Sequence, residues 1–287
     1  MAEQEQPKTP TKLHSVRPDV ASLIGLVVAV GGILAGLVMD GGKITQLLQK
    51  NAALIVLGGT LGAVLLTSPL AAVIRAAKGL KSVFLEEVVP PEAAIEEIIA
   101  YATKARKSSI ISLEEDLDKI SHPFLRKALT LAVDGTDLKE LKEMMELEML
   151  QFEKREESGA KVFEAAGGYA PTIGIIGAVL GLMQVMQHLE NIDEVGRGIA
   201  AAFVATVYGV AFANLFFLPA ANKLKARIQS DISTKELMLE GVASILEGMN
   251  PKLIRVKLEA FLHHPPKADP KKDAQPAAAE EAAAARG

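Results

Sequence analysis

The sequence predicts an all-α fold: a polytopic membrane protein with four transmembrane helices and a helical cytoplasmic domain. Three observations lead there. Four long segments contain no Asp, Glu, Lys or Arg. The charged residues, 23% of the chain, are gathered between and after those segments. The charged stretches repeat their apolar residues at helical rather than strand spacing. A mean hydropathy of +0.25 in a 287-residue chain with this much charge requires such segregation.

A helix needs roughly 20 apolar residues to cross the hydrocarbon core. The first candidate lies between Asp19 and Asp40, and the second between Lys50 and Arg75. A third lies between Glu164 and Glu190, and a fourth between Arg197 and Lys223. Lys8, Lys12 and Arg17 precede the first in the manner of a signal peptide. Its apolar stretch is too long for that, and no small-x-small cleavage site closes it, so a retained span is expected. Direction follows from basic residues beside the spans. Arg75, Lys78 and Lys81 follow the second, Lys154, Arg155 and Lys161 precede the third, and Lys223, Lys225 and Arg227 follow the fourth. The short connections hold only Lys43, Lys50 and Arg197. Both termini and the long middle loop are therefore predicted to be cytoplasmic.

Lipid-embedded helices associate through small residues. Gly32-xxx-Gly36, Gly58-xxx-Gly62 and Gly177-xxx-Gly181 mark the first three spans, and Ala201, Ala205, Gly209 and Ala213 form a small stripe on the fourth. Small motifs on every span favour a tightly packed bundle or oligomer.

Between the second and third spans the sequence predicts helices only. Pro90-Pro91 opens a segment with Ile95, Ile98, Ile99 and Ala102 on one face. Ser112-x-x-Glu115 matches a capping box, and Pro123 starts another helix. Asp134-Gly135-Thr136 reads as a turn with Thr136 as an N-cap, after which a charged amphipathic helix runs toward the third span with Gly159 as its one early breaker. The resulting layout is a cytoplasmic tail over 1–18, two spans over 19–75, a cytoplasmic helical domain over 76–164, two spans over 165–222, a C-terminal helix over 223–262 and a disordered tail over 263–287. The first dozen residues are expected to be disordered as well.

Several function classes drop out. With no cysteine and five scattered histidines there is no disulfide framework, thiolate site or histidine metal motif. No basic run is interleaved with aromatics, which argues against nucleic acid. No nucleophile triad, phosphate loop or paired-carboxylate signature is present, so neither an enzyme nor a cofactor is expected. Transport, force transmission and scaffolding remain.

The last two spans differ from the first two. Pro171 interrupts the third and Pro219 the fourth, both in the cytoplasmic half. Each removes a backbone hydrogen bond, giving either a fixed kink or a hinge that couples the membrane to the cytoplasm. Thr206 and Tyr208 add polarity to the fourth span. Thr206 either bonds back to its own helix or lines a pathway.

These residues carry a resemblance. Tyr169-Ala-Pro-Thr-Ile-Gly-Ile-Ile-Gly-Ala-Val-Leu-Gly-Leu is similar to the third span of MotA/PomA flagellar stator proteins, and Ala202-Phe-Val-Ala-Thr-Val-Tyr-Gly with Ala213, Asn214 and Pro219 resembles their fourth. The likeness covers roughly residues 18–262. It implies a subunit of the bacterial inner membrane that forms a pentamer around two single-span, peptidoglycan-binding MotB/PomB partners. Together they would form an ion channel that converts ion flow into torque for swimming. In that family the ion-carrying aspartate belongs to the partner, which agrees with acid-free spans here. Pro171, Ala178, Thr206, Tyr208, Gly209 and Pro219 become the expected pathway and gating residues.

Arg106-Lys107-Ser-Ser-Ile-Ile-Ser-Leu-Glu114-Glu115 resembles the family's contact with the rotor protein FliG. Arg106 and Glu114 take the paired positions there, with Lys107 and Glu115 as neighbours. Exposed charges of this kind supply steering and register more than affinity. Sodium-driven relatives carry threonines where this chain has Ala178 and Ala205, so a proton is expected in preference to sodium. The alternative is an ExbB/TolQ-like energiser, which usually has three spans and an external N-terminus.

Overall fold

The computed structural model describes residues 15–88, 90–187 and 189–262. The segments expected to be disordered, the first dozen residues and the tail from Pro265, lie outside these. The fold is helical as the sequence predicts, and four helices are long and apolar enough to cross a membrane: Val20–Met39, Lys50–Thr67, Leu138–Gln187 and Ile192–Leu246.

One element escaped the helical periodicity. Ser15–Pro18 (β1) pairs antiparallel with Leu85–Val88 (β2), Ser15 opposite Val88 and Pro18 opposite Leu85. Four residues are too few to reveal a period of two inside a window that reads helices. A two-stranded ribbon is marginal alone. Here it is anchored where the Asp19 N–H donates to the Phe84 carbonyl at 2.8 Å and the Arg227 guanidinium donates to the Leu85 carbonyl.

Helix α1, Val20–Met39, starts on Asp19, whose carboxylate accepts the Ser22 N–H at 3.1 Å. No residue of α1 is buried within the chain. Short helices α2, Ile44–Leu47, and α3, Lys50–Ala53, lead into a π-helical turn at Leu54–Gly58 and then α4, Gly59–Thr67. The second span therefore ends earlier than the expected Arg75. Pro69 disfavours helix at the residue before it, and Ser68 is extended at φ −119°, ψ 138°. Leu70–Arg75 belongs instead to the amphipathic α5, Leu70–Phe84, whose Ala72, Ala76 and Val83 join Phe163, Ala166 and Leu224 in one apolar core.

The next elements are α6, Pro91–Ser108, a 3₁₀ segment, Ile110–Lys119, and α7, Pro123–Val133. The expected capping box does not form: Ser112 lies inside the 3₁₀ segment and its hydroxyl donates to the Ser109 carbonyl at 2.7 Å. Helix α7 closes on Gly135 at φ 82°, with the Gly135 and Thr136 N–H groups returning to the carbonyls of Ala132 and Leu131. Thr136 thus completes the cap of α7, and Asp137 stands immediately before the next helix. That helix, α8, runs from Leu138 to Gln187 without a break, 50 residues or about 75 Å. Gly159 does not interrupt it, because it sits on α5: a Cβ there would lie 3.4 Å from the Ala76 nitrogen.

The fourth span is α9, Ile192–Ala211, a π-helical turn, Phe212–Phe217, and the start of α10, Leu218–Leu246. A single C-terminal helix over 223–262 is not observed. Gly248, at φ 69°, ends α10, and Asn250 caps a separate α11, Pro251–Glu259. The chain divides into two compact units, Met1–Pro90 with Lys139–Glu236, and Pro91–Leu138 with Leu237–Gly287. In the second unit Ile95, Ile98, Leu125, Leu129, Ile254 and Leu258 are buried.

Candidate functional site

The third and fourth spans touch backbone to backbone. A Cβ on Gly174 would lie 2.9 Å from the Ala205 carbonyl oxygen, and one on Gly209 would lie 2.5 Å from that of Ala170. A Cβ on Gly181 would lie 3.0 Å from the Ala202 Cβ. Such proximity is what small residues provide in lipid, where helices gain no hydrophobic attraction for each other. Gly209 is therefore the crossing point of the two spans. The buried stripe on the fourth span is Ala202, Ala205, Gly209 and Ala213, with Ala202 in the place predicted for Ala201. By contrast, the first- and second-span motifs, Gly32/Gly36 and Gly58/Gly62, meet nothing within 4 Å among the described residues. Ala178 is half-buried, next to Gly177 in this packed face.

The prolines behave differently from one another. Helix α8 passes through Pro171 uninterrupted. Pro219 is the second residue of α10, directly after the π-helical turn, where the chain absorbs an extra residue per turn. Their surroundings meet. Pro171 deprives the Gly167 carbonyl of its helical donor, and a Cβ on Gly167 would lie 2.6 Å from Leu218, the neighbour of Pro219.

Thr206 bonds back to its own helix, its hydroxyl donating to the Ala202 carbonyl at 3.4 Å. With Asn214, whose amide donates to Val210 at 2.9 Å, it lines a groove of about 360 Å³ that is otherwise apolar and shares Ile33 of α1. Tyr208 reaches away from this groove: its hydroxyl donates to the Leu47 carbonyl, pinning the fourth span to α2.

A polar collar where α1 begins and the fourth span leaves its apolar run was not anticipated. Asp19 is only 6% exposed, and it pairs with Lys223 at 2.5 Å and Arg227 at 3.1 Å. The Lys223 hydrogen bond, then that from the Ser22 N–H, hold its carboxyl far below the ordinary range against the opposing effect of burial. Lys225 pairs with Glu164 at 2.5 Å. Arg75 donates to the Ser158 hydroxyl at 2.6 Å and to the Arg155 carbonyl at 2.9 Å. The N-cap role of Asp19 is readable from an acid placed just before an apolar run. Its partners, over 200 residues away, are not.

In the second unit, Asp116 binds Lys104 at 2.6 Å and Lys119 at 2.8 Å, tying the 3₁₀ segment to α6. Hydrogen bonds from Lys104 and then Lys119 lower the Asp116 carboxyl below its usual range. Arg106 and Lys107 end α6, and Glu114 and Glu115 lie in the 3₁₀ segment. All four are exposed. Among the described residues none of the four makes an ion pair or a side-chain hydrogen bond. Between the pairs, Ser109 adopts φ 72°, ψ 157°, a strained conformation for any residue but glycine.

Four apolar spans, two of them in backbone contact, joined to charged helices, define a multi-pass helical membrane protein. Residues 116–237 match the MotA/TolQ/ExbB proton channel family, and residues 23–108 match the motility protein A N-terminal family. Motility protein A of Bacillus subtilis is 36% identical over 248 residues, 85% of this chain and 91% of that protein. Among solved structures, one chain of C. jejuni MotAB superposes with a TM-score of 0.81 at 31% identity, covering 88% of this chain and 98% of that one. The flagellar MotAB stator complex from Bacillus subtilis gives 0.78 at 35%, covering 84% and 96%. The chain belongs to the MotA/TolQ/ExbB proton channel family, on its motility protein A branch. The N-terminal match places it with the motility proteins within that family.

Proposed function

We propose that this stator subunit conducts protons, not sodium, together with a MotB/PomB-type single-span partner that binds peptidoglycan, and passes the resulting movement to the rotor protein FliG. It does so as a pentamer in the bacterial inner membrane, with both termini cytoplasmic, and carries out no enzymatic reaction. The observation that carries this reading is the absence of any Asp, Glu, Lys or Arg within the apolar spans. A proton crossing hydrocarbon needs a titrating group, and here another chain must supply it.

The residues of this chain then take supporting roles. Thr206 borders the apolar groove beside Asn214, and its hydroxyl would have to turn from the Ala202 carbonyl to meet a protonated partner carboxyl. Sodium would need several oxygen ligands, and Ala178 and Ala205 supply none from their side chains. The backbone contact at Gly174 and Gly209 makes the third and fourth spans move as one body. Pro171 and Pro219 weaken both helices at one level, where movement can turn into bending. Arg106, Lys107, Glu114 and Glu115, whose charges are not consumed among the described residues, face the rotor.

Deletion of the gene should stop swimming without slowing growth, and complementation should require this chain and its single-span partner together. Swimming restored by this chain with no such partner in the cell would refute the reading.

A further inference from the structure

The charges named for the rotor contact border a small apolar cleft. Ala102 and Ala105 on the last turns of α6, Ile110 at the start of the 3₁₀ segment, and Ile245 and Met249 at the closing turn of α10 enclose about 140 Å³, with Arg106 at the rim. That is close to the size of a cavity that accepts one benzene ring. All of these residues belong to the second unit. Ile111, one residue beyond the cleft wall, is 63% exposed and adds apolar surface at its rim. Arg106 and Lys107 beside the cleft have no anionic partner among the described residues, whereas nearby Lys104 is committed to Asp116.

Resting on the rotor reading above, we propose that this cleft is a socket for one bulky apolar side chain of the rotor protein, presented on a helix that carries a carboxylate one turn away. The carboxylate meets Arg106 and the apolar side chain enters between Ala105 and Met249. Residues three or four apart on a helix share a face, so one partner helix delivers both groups together. Charge alone gives a contact that salt screens within about 8 Å at physiological ionic strength. An inserted side chain adds a component that salt does not remove, and it fixes the depth of each engagement. The contact then has the arrangement of an interface anchor, an apolar centre inside a charged rim.

The test uses the full-length protein with its single-span partner in lipid nanodiscs, and purified rotor protein as the titrant. Ala105→Leu fills the cleft and Met249→Ser removes its apolar far wall. Each should weaken rotor binding about tenfold, with thermal unfolding and proton conductance unchanged. Wild-type binding should persist in part at high salt. Arg106→Glu provides the reference for loss of charge. If Arg106→Glu weakens binding while Ala105→Leu and Met249→Ser leave it intact, the cleft proposal is overturned and the rotor contact stands. If the wild-type protein does not bind the rotor protein at all, the rotor contact itself fails, and the cleft proposal fails with it.

Discussion

Asp19 joins three parts of the chain through one residue. Its carboxylate starts α1 and receives Lys223 and Arg227 from α10, and its own N–H holds the end of α5 at the Phe84 carbonyl. Replacing it with Asn keeps the size and one acceptor but leaves two cations facing a neutral amide. Hydrogen bonds to charged groups are worth about 1.5–3 kcal/mol, so Asp19→Asn should cost roughly 2 kcal/mol at pH 7. The pH dependence has a definite sign. The folded carboxyl titrates below its ordinary 3.8, so its stabilisation is complete above that value and is lost as pH falls through the folded pKa. Thermal unfolding in detergent should therefore separate wild type from Asp19→Asn at pH 7 and bring them together under strong acid. A gap that stayed constant down to the lowest pH would mean that the carboxylate charge is not what holds the collar.

Among the elements, the membrane helices were legible because an uninterrupted apolar run of about 20 residues matches the thickness of the hydrocarbon core. What was not legible is how such runs are interrupted. Pro69 truncates the second span where composition alone would continue it, and π-helical turns at Leu54–Gly58 and Phe212–Phe217 leave no signature in apolar periodicity. Site residues divide the same way. The small stripe on the fourth span was readable to within one position, whereas the Tyr208 bond to Leu47 depends on chain geometry 161 residues apart. Pro219 is where these levels meet, because it follows the π-helical turn directly. Pro219→Ala would supply the missing N–H to the Leu215 carbonyl and allow the turn to relax toward regular α-helix. Proline in a helix interior costs about 3 kcal/mol, so the variant should be as stable as wild type or more so. If Pro219 works as a hinge, swimming speed should nevertheless fall by roughly tenfold or more, with normal protein levels, because function here needs the weakened helix. Wild-type swimming from Pro219→Ala would reduce Pro219 to a fixed kink.

At the scale of the whole molecule, packing surface is left unused. Its spans bury some residues against one another, yet α1 buries none, and the glycine motifs of the first two spans meet nothing among the described residues. Unused packing surface of this kind belongs to an assembly or to lipid. The groove beside Thr206 and Asn214 presents an apolar surface and no group that changes protonation near neutral pH. Reconstituted alone in liposomes, the chain should leave an imposed pH gradient intact. Adding the single-span partner should dissipate it, and substituting that partner's membrane carboxylate should restore tightness. The flux with both chains should be the same in potassium as in sodium medium, since Ala178 and Ala205 leave no hydroxyl pair to select between them. Proton passage at a full rate through the single chain would overturn this, because these four spans hold no titrating group and the ion would then have to cross on a continuous water wire.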